Sequence, residues 1–108
     1  MDIYELHADI CKTLASPTRL KILNALATGE LTAGEIVAAL EARKANTSQH
    51  LAVMRAKGIL EARRQGAHVY YRIANPKVVQ ACQIMREVLL ERLEAGEQLV
   101  HAIRNEAA

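Results

Sequence analysis

The chain has 108 residues, 51% of them apolar, which allows a single domain and leaves no room for a second core. With no Phe, no Trp and three Tyr, that core must be aliphatic, and so small a core favours a dimer that shares it. The early residues carry charges every few positions and no apolar run nears the roughly 20 residues that span a bilayer, so we expect a cytoplasmic protein without a signal peptide or membrane helix.

The formal net charge of +2 hides an uneven distribution. Residues 43–77 contain eight Lys or Arg and one acid, Glu61, and carry +7, whereas residues 1–42 carry −3 and residues 78–108 carry −2. A concentrated basic segment is typical of a surface that binds phosphate groups, and it favours nucleic acid as the partner. The alternative is a solvated surface with random charge, but acids are scarce in this segment alone.

Two helices are predicted in the first quarter of the chain. Residues 3–14 form an amphipathic pattern with apolar residues spaced by three and four. Ser16 followed by Pro17 indicates a second helix start, because Ser caps free N–H groups and Pro suits the first helical position. This helix is expected to run to about Ala27 and to bury Leu20, Leu23 and Leu26.

The next segment, about residues 32–58, is predicted to be a helix-turn-helix. Thr32 to Glu35 is a capping box that opens a short third helix. A few polar residues later a fourth helix follows, with Leu51 and Met54 inward, and it ends at Gly58. Two short helices joined by so tight a turn form this motif.

The period then changes from helix to strand. Apolar and polar residues alternate on both sides of Gly66, which predicts a β-hairpin, or wing, over about residues 59–73. Asn75 and Pro76 then repeat the cap-and-proline start of a long helix over about residues 76–104, whose apolar stripe runs along one face. Gly96 is expected to bend or fray that helix.

These strings together resemble the arsenic-repressor (ArsR-type) family of winged-helix transcription regulators. The resemblance rests on residues 14–23 (LASPTRLKIL), 48–51 (SQHL), 58–60 (GIL) and 69–73 (VYYRI), in the right order along nearly the whole chain. It implies a mainly α winged helix-turn-helix fold of four helices, a β-hairpin and a fifth helix, as a homodimer built by the first and last helices. It also implies that the fourth helix enters the DNA major groove beside the wing.

The chain departs from the sensing members of that family. Relatives that sense metals often have Cys-Val-Cys in the third helix or Asp-x-His in the last, and neither pattern is present. Relatives that sense sulfur tend to have a cysteine where this chain has Asn24, and a Ser or Thr cap is usual where it has Arg43. The resemblance therefore implies no metal and no other cofactor, and it leaves the small inducer, if one is used, undefined.

The candidate DNA contacts lie on the fourth helix and the wing. The N-terminal half of a recognition helix reaches base edges, where Lys can donate to guanine and Asn or Gln can pair with adenine. Alternatively, Gln49 faces the neighbouring helix. Each cationic side chain of the wing could likewise be solvated without contacting DNA. The predicted contacts are Lys44, Ala45, Asn46, Ser48, Gln49, His50 and Arg55 on the helix, and Arg63, Arg64 and His68 on the wing.

Cys11 and Cys82 are the two thiols, and burial as small apolar residues is the expectation for both. A thiol switch formed by the pair is the alternative, because the resemblance places their helices together at the dimer interface. His7 and Cys11 lie one helical turn apart and could share a metal, but two ligands without a third make a weak site.

The sequence therefore predicts a DNA-binding transcriptional regulator, with repressor as the favoured role, acting on a pseudo-palindromic operator. No phosphate loop, nucleophile elbow or metalloprotease motif is present to suggest an enzyme. The alternative function is a winged-helix protein-interaction module without specific DNA binding.

Overall fold

The computed structural model describes residues 1–107. Five helices and a three-stranded sheet follow in the order α1 (Ile3–Leu14), α2 (Pro17–Leu26), β1 (Leu31–Thr32), α3 (Ala33–Leu40), α4 (Lys44–Ala56), β2 (Leu60–Gln65), β3 (His68–Ile73) and α5 (Lys77–Ala107). The winged helix-turn-helix order predicted from the sequence is confirmed. Among the described residues, no helix combines the length and the apolar character needed to cross a membrane.

Side-chain caps explain where the first three helices begin. Ser16 Oγ accepts a hydrogen bond from Arg19 N at 3.3 Å, with Pro17 in the first turn of α2. Thr32 and Glu35 form the predicted capping box of α3, with bonds of 3.2 and 3.0 Å to each other's backbone N–H groups. Asp2 and Glu5 form a second box at α1, which had not been predicted.

The helix-turn-helix consists of α3, a three-residue turn and α4. The turn begins at Glu41, which has φ 52° in the left-handed region and ends α3. Within α4, Thr47 is buried and its hydroxyl donates to the carbonyl oxygen of Arg43 at 3.0 Å. The buried side of α4 consists of Thr47, Leu51 and Met54, which leaves the opposite side free.

The sheet is antiparallel with the strand order β1-β3-β2. The hairpin pairs Gln65 with His68 across a turn in which Gly66 has φ 61°, a conformation that glycine adopts without strain. The third strand, β1, was not predicted; it pairs Leu31 with Tyr71 and Thr32 with Tyr70. The wing is therefore attached to the segment that leads into α3.

The core is aliphatic, as the composition requires. It comprises Ile22, Leu23, Leu26, Ile36, Leu51, Met54, Ile59 and Leu60, all at most 3% exposed. The prediction that Leu20 is buried was wrong: Leu20 is 38% exposed, and Ile22 occupies the inward side of α2 instead. The difference arises because α2 has two apolar sides, and the pattern of spacing alone does not select between them.

The last helix, α5, is mostly detached from this core. Val78 and Cys82 pack against it, but every residue from Gln83 to Glu106 is exposed. At 1.5 Å per residue its 31 residues span about 46 Å, within a molecule whose longest dimension is 66 Å. The helix continues through Gly96 without interruption.

Candidate nucleic-acid interface

The free side of α4 presents a continuous set of polar side chains. Five of the predicted contacts are exposed there, and Gln49 is among them rather than facing a neighbouring helix. Arg43, Ala45, Asn46 and Gln49 surround a shallow depression of about 560 Å³. A helix whose buried side is apolar and whose outer side bears amides and a lysine can present hydrogen-bonding groups to base edges. The exposed set is Lys44, Ala45, Asn46, Ser48 and Gln49.

The start of α4 is electropositive. Arg43 stands at the capping position but makes no side-chain cap bond, and the first turn contains no acid. The free N–H groups of the first turn therefore combine with Arg43 and Lys44 to favour an anion such as a DNA phosphate.

His50 differs from the other predicted contacts because it is half-buried. Arg19 Nε donates to its Nδ1 at 3.0 Å, while Arg19 Nη1 donates to the carbonyl oxygen of Thr13 at 2.9 Å. In the neutral ring the proton therefore lies on Nε2, the nitrogen that remains available. Through Arg19, His50 links α4 to α2 and to the end of α1.

A second polar link joins α4 to α1. Lys57 Nζ lies 3.0 Å from a carboxylate oxygen of Asp9, forming an ion pair that is partly exposed. Arg55, one of the predicted contacts, is exposed in the last turn of α4. The two contacts to α1 fix how the exposed side of α4 is turned relative to the first helix.

On the wing, Arg63 is held against the body of the protein. Its Nε and Nη2 donate to the carboxylate of Glu30, with Nε–Oε2 at 2.9 Å, and its Nη1 donates to Gln65. The guanidinium also lies 4.6 Å from the centre of the Tyr70 ring. The hydrogen bond from Arg63 lowers the pKa of Glu30 below its ordinary 4.5, and the same bond raises the pKa of Arg63.

The neighbouring wing residues are in a different environment. Arg64 is exposed, pairs across the hairpin with Val69 and lies on the face opposite to Arg63 because side chains alternate along a strand. His68 is exposed near the turn, with its ring edge-on to Tyr70 at 6.5 Å between centroids. Both predicted wing arginines are exposed, but among the described residues only Arg63 has an ion-pair partner.

Ion pairs reduce the positive charge of the basic segment. Lys57, Arg63 and Arg72 pair with Asp9, Glu30 and Glu61, respectively. Two of these acids lie outside residues 43–77, so their approach lowers the local charge from +7 to +5. Within the described residues no ion pair is found for Arg43, Lys44, Arg55, Arg64 and Lys77.

The structure separates the two cysteines by environment. Cys82 is half-buried against the core, whereas Cys11 is exposed on α1, so the expected burial of Cys11 is wrong for the isolated protomer. His7 is exposed on the same helix, and no group of three or more potential metal ligands occurs among the residues described.

Two features of this surface had no local signal in the sequence. The Arg19–His50 bond joins residues 31 positions apart, and the Arg63–Glu30 pair joins residues 33 positions apart. Both depend on tertiary packing. Glu30 lies directly before β1, which pairs with the wing strand β3, and neither the strand nor its pairing was predicted.

Comparison with known proteins gives a consistent result. The family model described as "Bacterial regulatory protein, arsR family" matches residues 16–62. An uncharacterized HTH-type transcriptional regulator of Mycobacterium tuberculosis, Rv0081, is 36% identical over 103 residues, covering 94% of this chain and 90% of the relative. The transcriptional repressor PagR of Bacillus anthracis is 39% identical over 82 residues, covering 75% and 82%.

Solved structures agree with the sequence relatives. The crystal structure of Rv0081 superposes with a TM-score of 0.77 at 35% identity and covers 87% of this chain and 95% of that one. A homodimeric winged helix-turn-helix DNA-binding domain from Mycobacterium bovis has a TM-score of 0.76 at 35% identity, with 85% of each chain covered. From its fold, its sequence relatives and its structural neighbours together, this chain belongs to the arsR family of bacterial regulatory proteins.

Proposed function

We propose that the chain is a homodimeric transcriptional repressor that binds a pseudo-palindromic operator in double-stranded DNA. The observation that carries the proposal is the free side of α4, where exposed lysine and amide side chains adjoin an electropositive helix start. A helix of this kind lies in the major groove with its N-terminal residues at the base edges. The PagR relative, a repressor, supports the regulatory role.

The second copy is supported by apolar side chains that the protomer leaves exposed. On α1, Ile3 and Tyr4 are 71% and 80% exposed, and α5 has a long apolar stripe that includes Leu89 at 51%. Exposed apolar surface of this extent marks an interface. The homodimeric domain of Mycobacterium bovis supports an assembly of two copies. In the proposed dimer, α1 and α5 of one protomer lie against those of its partner.

The positions of the side chains indicate which residues would contact bases and which would contact the DNA backbone. Asn46, Gln49 and Lys44 would contact bases, with Ala45 and Ser48 beside them. Arg55, Arg64 and His68 would contact the backbone, and Arg63 would support the wing from behind. His50 would reach DNA only through Nε2, because Nδ1 is engaged by Arg19. Two α4 helices related by a two-fold axis would then bind half-sites about 34 Å apart.

Two broader assignments accompany this proposal. Membership of a family of transcription regulators supports a protein that acts by binding rather than by catalysis. A DNA-binding regulator acts where the chromosome is, which supports a cytoplasmic location. We place no metal in the mechanism, because the sequence lacks the metal-binding patterns of sensing relatives.

Genome-wide footprinting of the bound sites, followed by titration of an identified site at several salt concentrations, tests the proposed function. We expect a two-fold symmetric site and a log Kd that rises linearly with log salt concentration. Asymmetric half-sites, or affinity that does not depend on salt, would contradict it. Capture of a protein partner without any DNA enrichment would favour the protein-interaction module instead.

A further inference from the structure

A cavity outside the α4 surface lies where the end of α2, the wing and the start of α5 meet. It has a volume of about 640 Å³, within the range of about 300–1,000 Å³ that small-molecule sites occupy. The functions assigned to α4 and to the exposed stripe of α5 do not use it.

The lining of the cavity combines an apolar floor with a cationic wall. Leu26, Ile73 and Val79 supply the apolar part. Arg63 and Arg72 supply two guanidinium groups against one carboxylate, that of Glu30, and Gln80 and Gln83 add side-chain amides. Both guanidinium groups are already paired, Arg63 with Glu30 and Arg72 with Glu61, so an anionic ligand would have to replace a carboxylate, and the apolar floor favours a hydrocarbon body attached to it.

Arg72 is the arginine with capacity for a ligand. Each of the three Arg63 nitrogens already donates to Glu30 or Gln65. Arg72 uses Nε and Nη2 on a single oxygen of Glu61, at 2.9 and 2.6 Å, and among the hydrogen bonds of the described residues none involves its Nη1. The Arg72–Glu61 pair is also well exposed, and such pairs are weak enough to be displaced.

The cavity is separate from the proposed dimer surface. In a helix of 3.6 residues per turn, Gln80 and Gln83 lie about 120–180° around α5 from Met85 and Leu89, whereas Val79 lies about 80° from Leu89. The amide side of the cavity therefore faces away from Met85 and Leu89, and Val79 lies between the cavity and the exposed apolar stripe. A second copy seated on the stripe would leave the cavity open.

From these observations we propose that the cavity is a binding site for a small organic carboxylate with an apolar body. The carboxylate lies against Arg72 and the side-chain amides of Gln80 and Gln83, and the apolar body covers Leu26, Ile73 and Val79. An occupant contacts both the wing and α5, so it changes the position of the wing relative to the helix that carries the second copy. Its effect on DNA affinity rests on the proposed function, whereas its binding does not.

Benzoate is a suitable probe, and its binding can be followed by amide chemical shifts of the isotopically labelled protein without DNA. We expect saturable shifts at Ala27, Gly29 and Gln80 with a dissociation constant on the order of millimolar, since so few ligand atoms limit the affinity. Benzamide has the same shape without the charge, and inorganic phosphate has the charge without the ring. Both should bind at least several-fold more weakly.

Two variants assign the site to these side chains. Arg72→Gln should weaken benzoate binding roughly tenfold, because it removes a charge-assisted hydrogen bond to the carboxylate. Gln80→Glu should also weaken it, by placing a second carboxylate in an exposed position that does not threaten folding. Arg86→Gln makes the same charge change on α5 outside the lining and should have no effect.

Several results would overturn the proposal. They are the absence of saturation with benzoate, equal shifts with benzamide, shifts that map elsewhere, or binding that Arg72→Gln and Gln80→Glu leave unchanged. Because this titration contains no DNA, a negative result leaves the DNA-binding proposal intact. Conversely, a failure to bind DNA does not alter the expected benzoate titration.

Discussion

At the scale of single residues, the adjacent arginines Arg63 and Arg64 show how neighbours in sequence acquire different roles. Strand alternation places them on opposite faces, and only Arg63 meets an acid there. In the charge distribution along the sequence, Arg63 and Arg64 each contribute one positive charge and cannot be distinguished. The tertiary partner, Glu30, makes one a structural ion pair and leaves the other as a free cation.

This difference predicts different effects of the same substitution. Arg64→Gln should weaken binding to all DNA duplexes and reduce the log K versus log salt slope by about 2 for a dimer, because one phosphate per protomer is no longer neutralised. Arg63→Gln should change the slope less and increase amide hydrogen exchange in β2 and β3. Fluorescence anisotropy across a salt series measures the first effect. The interpretation fails if Arg63→Gln, and not Arg64→Gln, reduces the slope.

The Arg63–Glu30 pair also predicts a pH dependence of the wing. Because the folded pKa of Glu30 is lowered, the pair stabilises the wing above pH 4.5 and is lost as the pH falls through the folded value. Carbon-detected NMR of the Glu30 carboxyl should give a midpoint below 4.5 in the wild type. In Arg63→Gln it should move upward towards 4.5, and an identical midpoint in both proteins would contradict the assignment.

At the scale of elements, the sequence predicted the helices well wherever a cap or a proline marks their start. Ser16-Pro17, the Thr32 box and Asn75-Pro76 each lie within one residue of an observed boundary. The strand β1 was missed because two residues are too few to show alternation, and its existence depends on pairing with β3. The candidate contacts on α4 followed from helix spacing, but the engagement of His50 required knowing that Arg19 lies beside it.

Within α4, base contacts and backbone contacts should be separable. Asn46→Ala and Lys44→Ala are each expected to cost about 1–3 kcal/mol at the operator identified by footprinting, because each removes a base contact, and less on random DNA. Arg55→Gln should weaken operator and random duplexes alike. Parallel titrations against both duplexes make the comparison. Equal losses of affinity for Asn46→Ala on both would mean that this residue contacts only the backbone.

At the scale of the whole molecule, the apolar residues are divided between a buried core and a set exposed on α1 and α5. Most of the core could be inferred from spacing, because its residues face one another within the protomer. The exceptions lie on α2, where Leu20 was predicted to be buried and Ile22 was missed. The apolar residues exposed on α1 and α5 have the same helical spacing, but they do not pack against the core of their own protomer. Cys11 belongs to this second surface region, which explains why sequence alone suggested burial.

The proposed dimer can be tested with two variants of α5, each of which introduces one carboxylate on a different side of the helix. Leu89→Glu puts a carboxylate on the apolar stripe, where its burial without a partner is costly, and should yield monomers in sedimentation velocity. Gln98→Glu puts the same charge on the polar side and should leave the dimer intact. A Leu89→Glu protein that sediments as the wild-type dimer would refute the interface, provided that its circular dichroism shows a folded chain.

Beyond Cys82, the described residues of α5 do not pack against the core, so we expect the helical content of α5 to depend on the protein concentration. A helix without tertiary contacts is marginal in water, and Gly96 lowers its stability by about 1 kcal/mol relative to alanine. Newly made, dilute protomers should therefore fray from the C-terminal end and be open to proteases until they meet a second copy. Loss of far-ultraviolet helix signal on serial dilution, absent in a covalently linked dimer, would reveal this behaviour. Such a regulator would be cleared when scarce and preserved when plentiful.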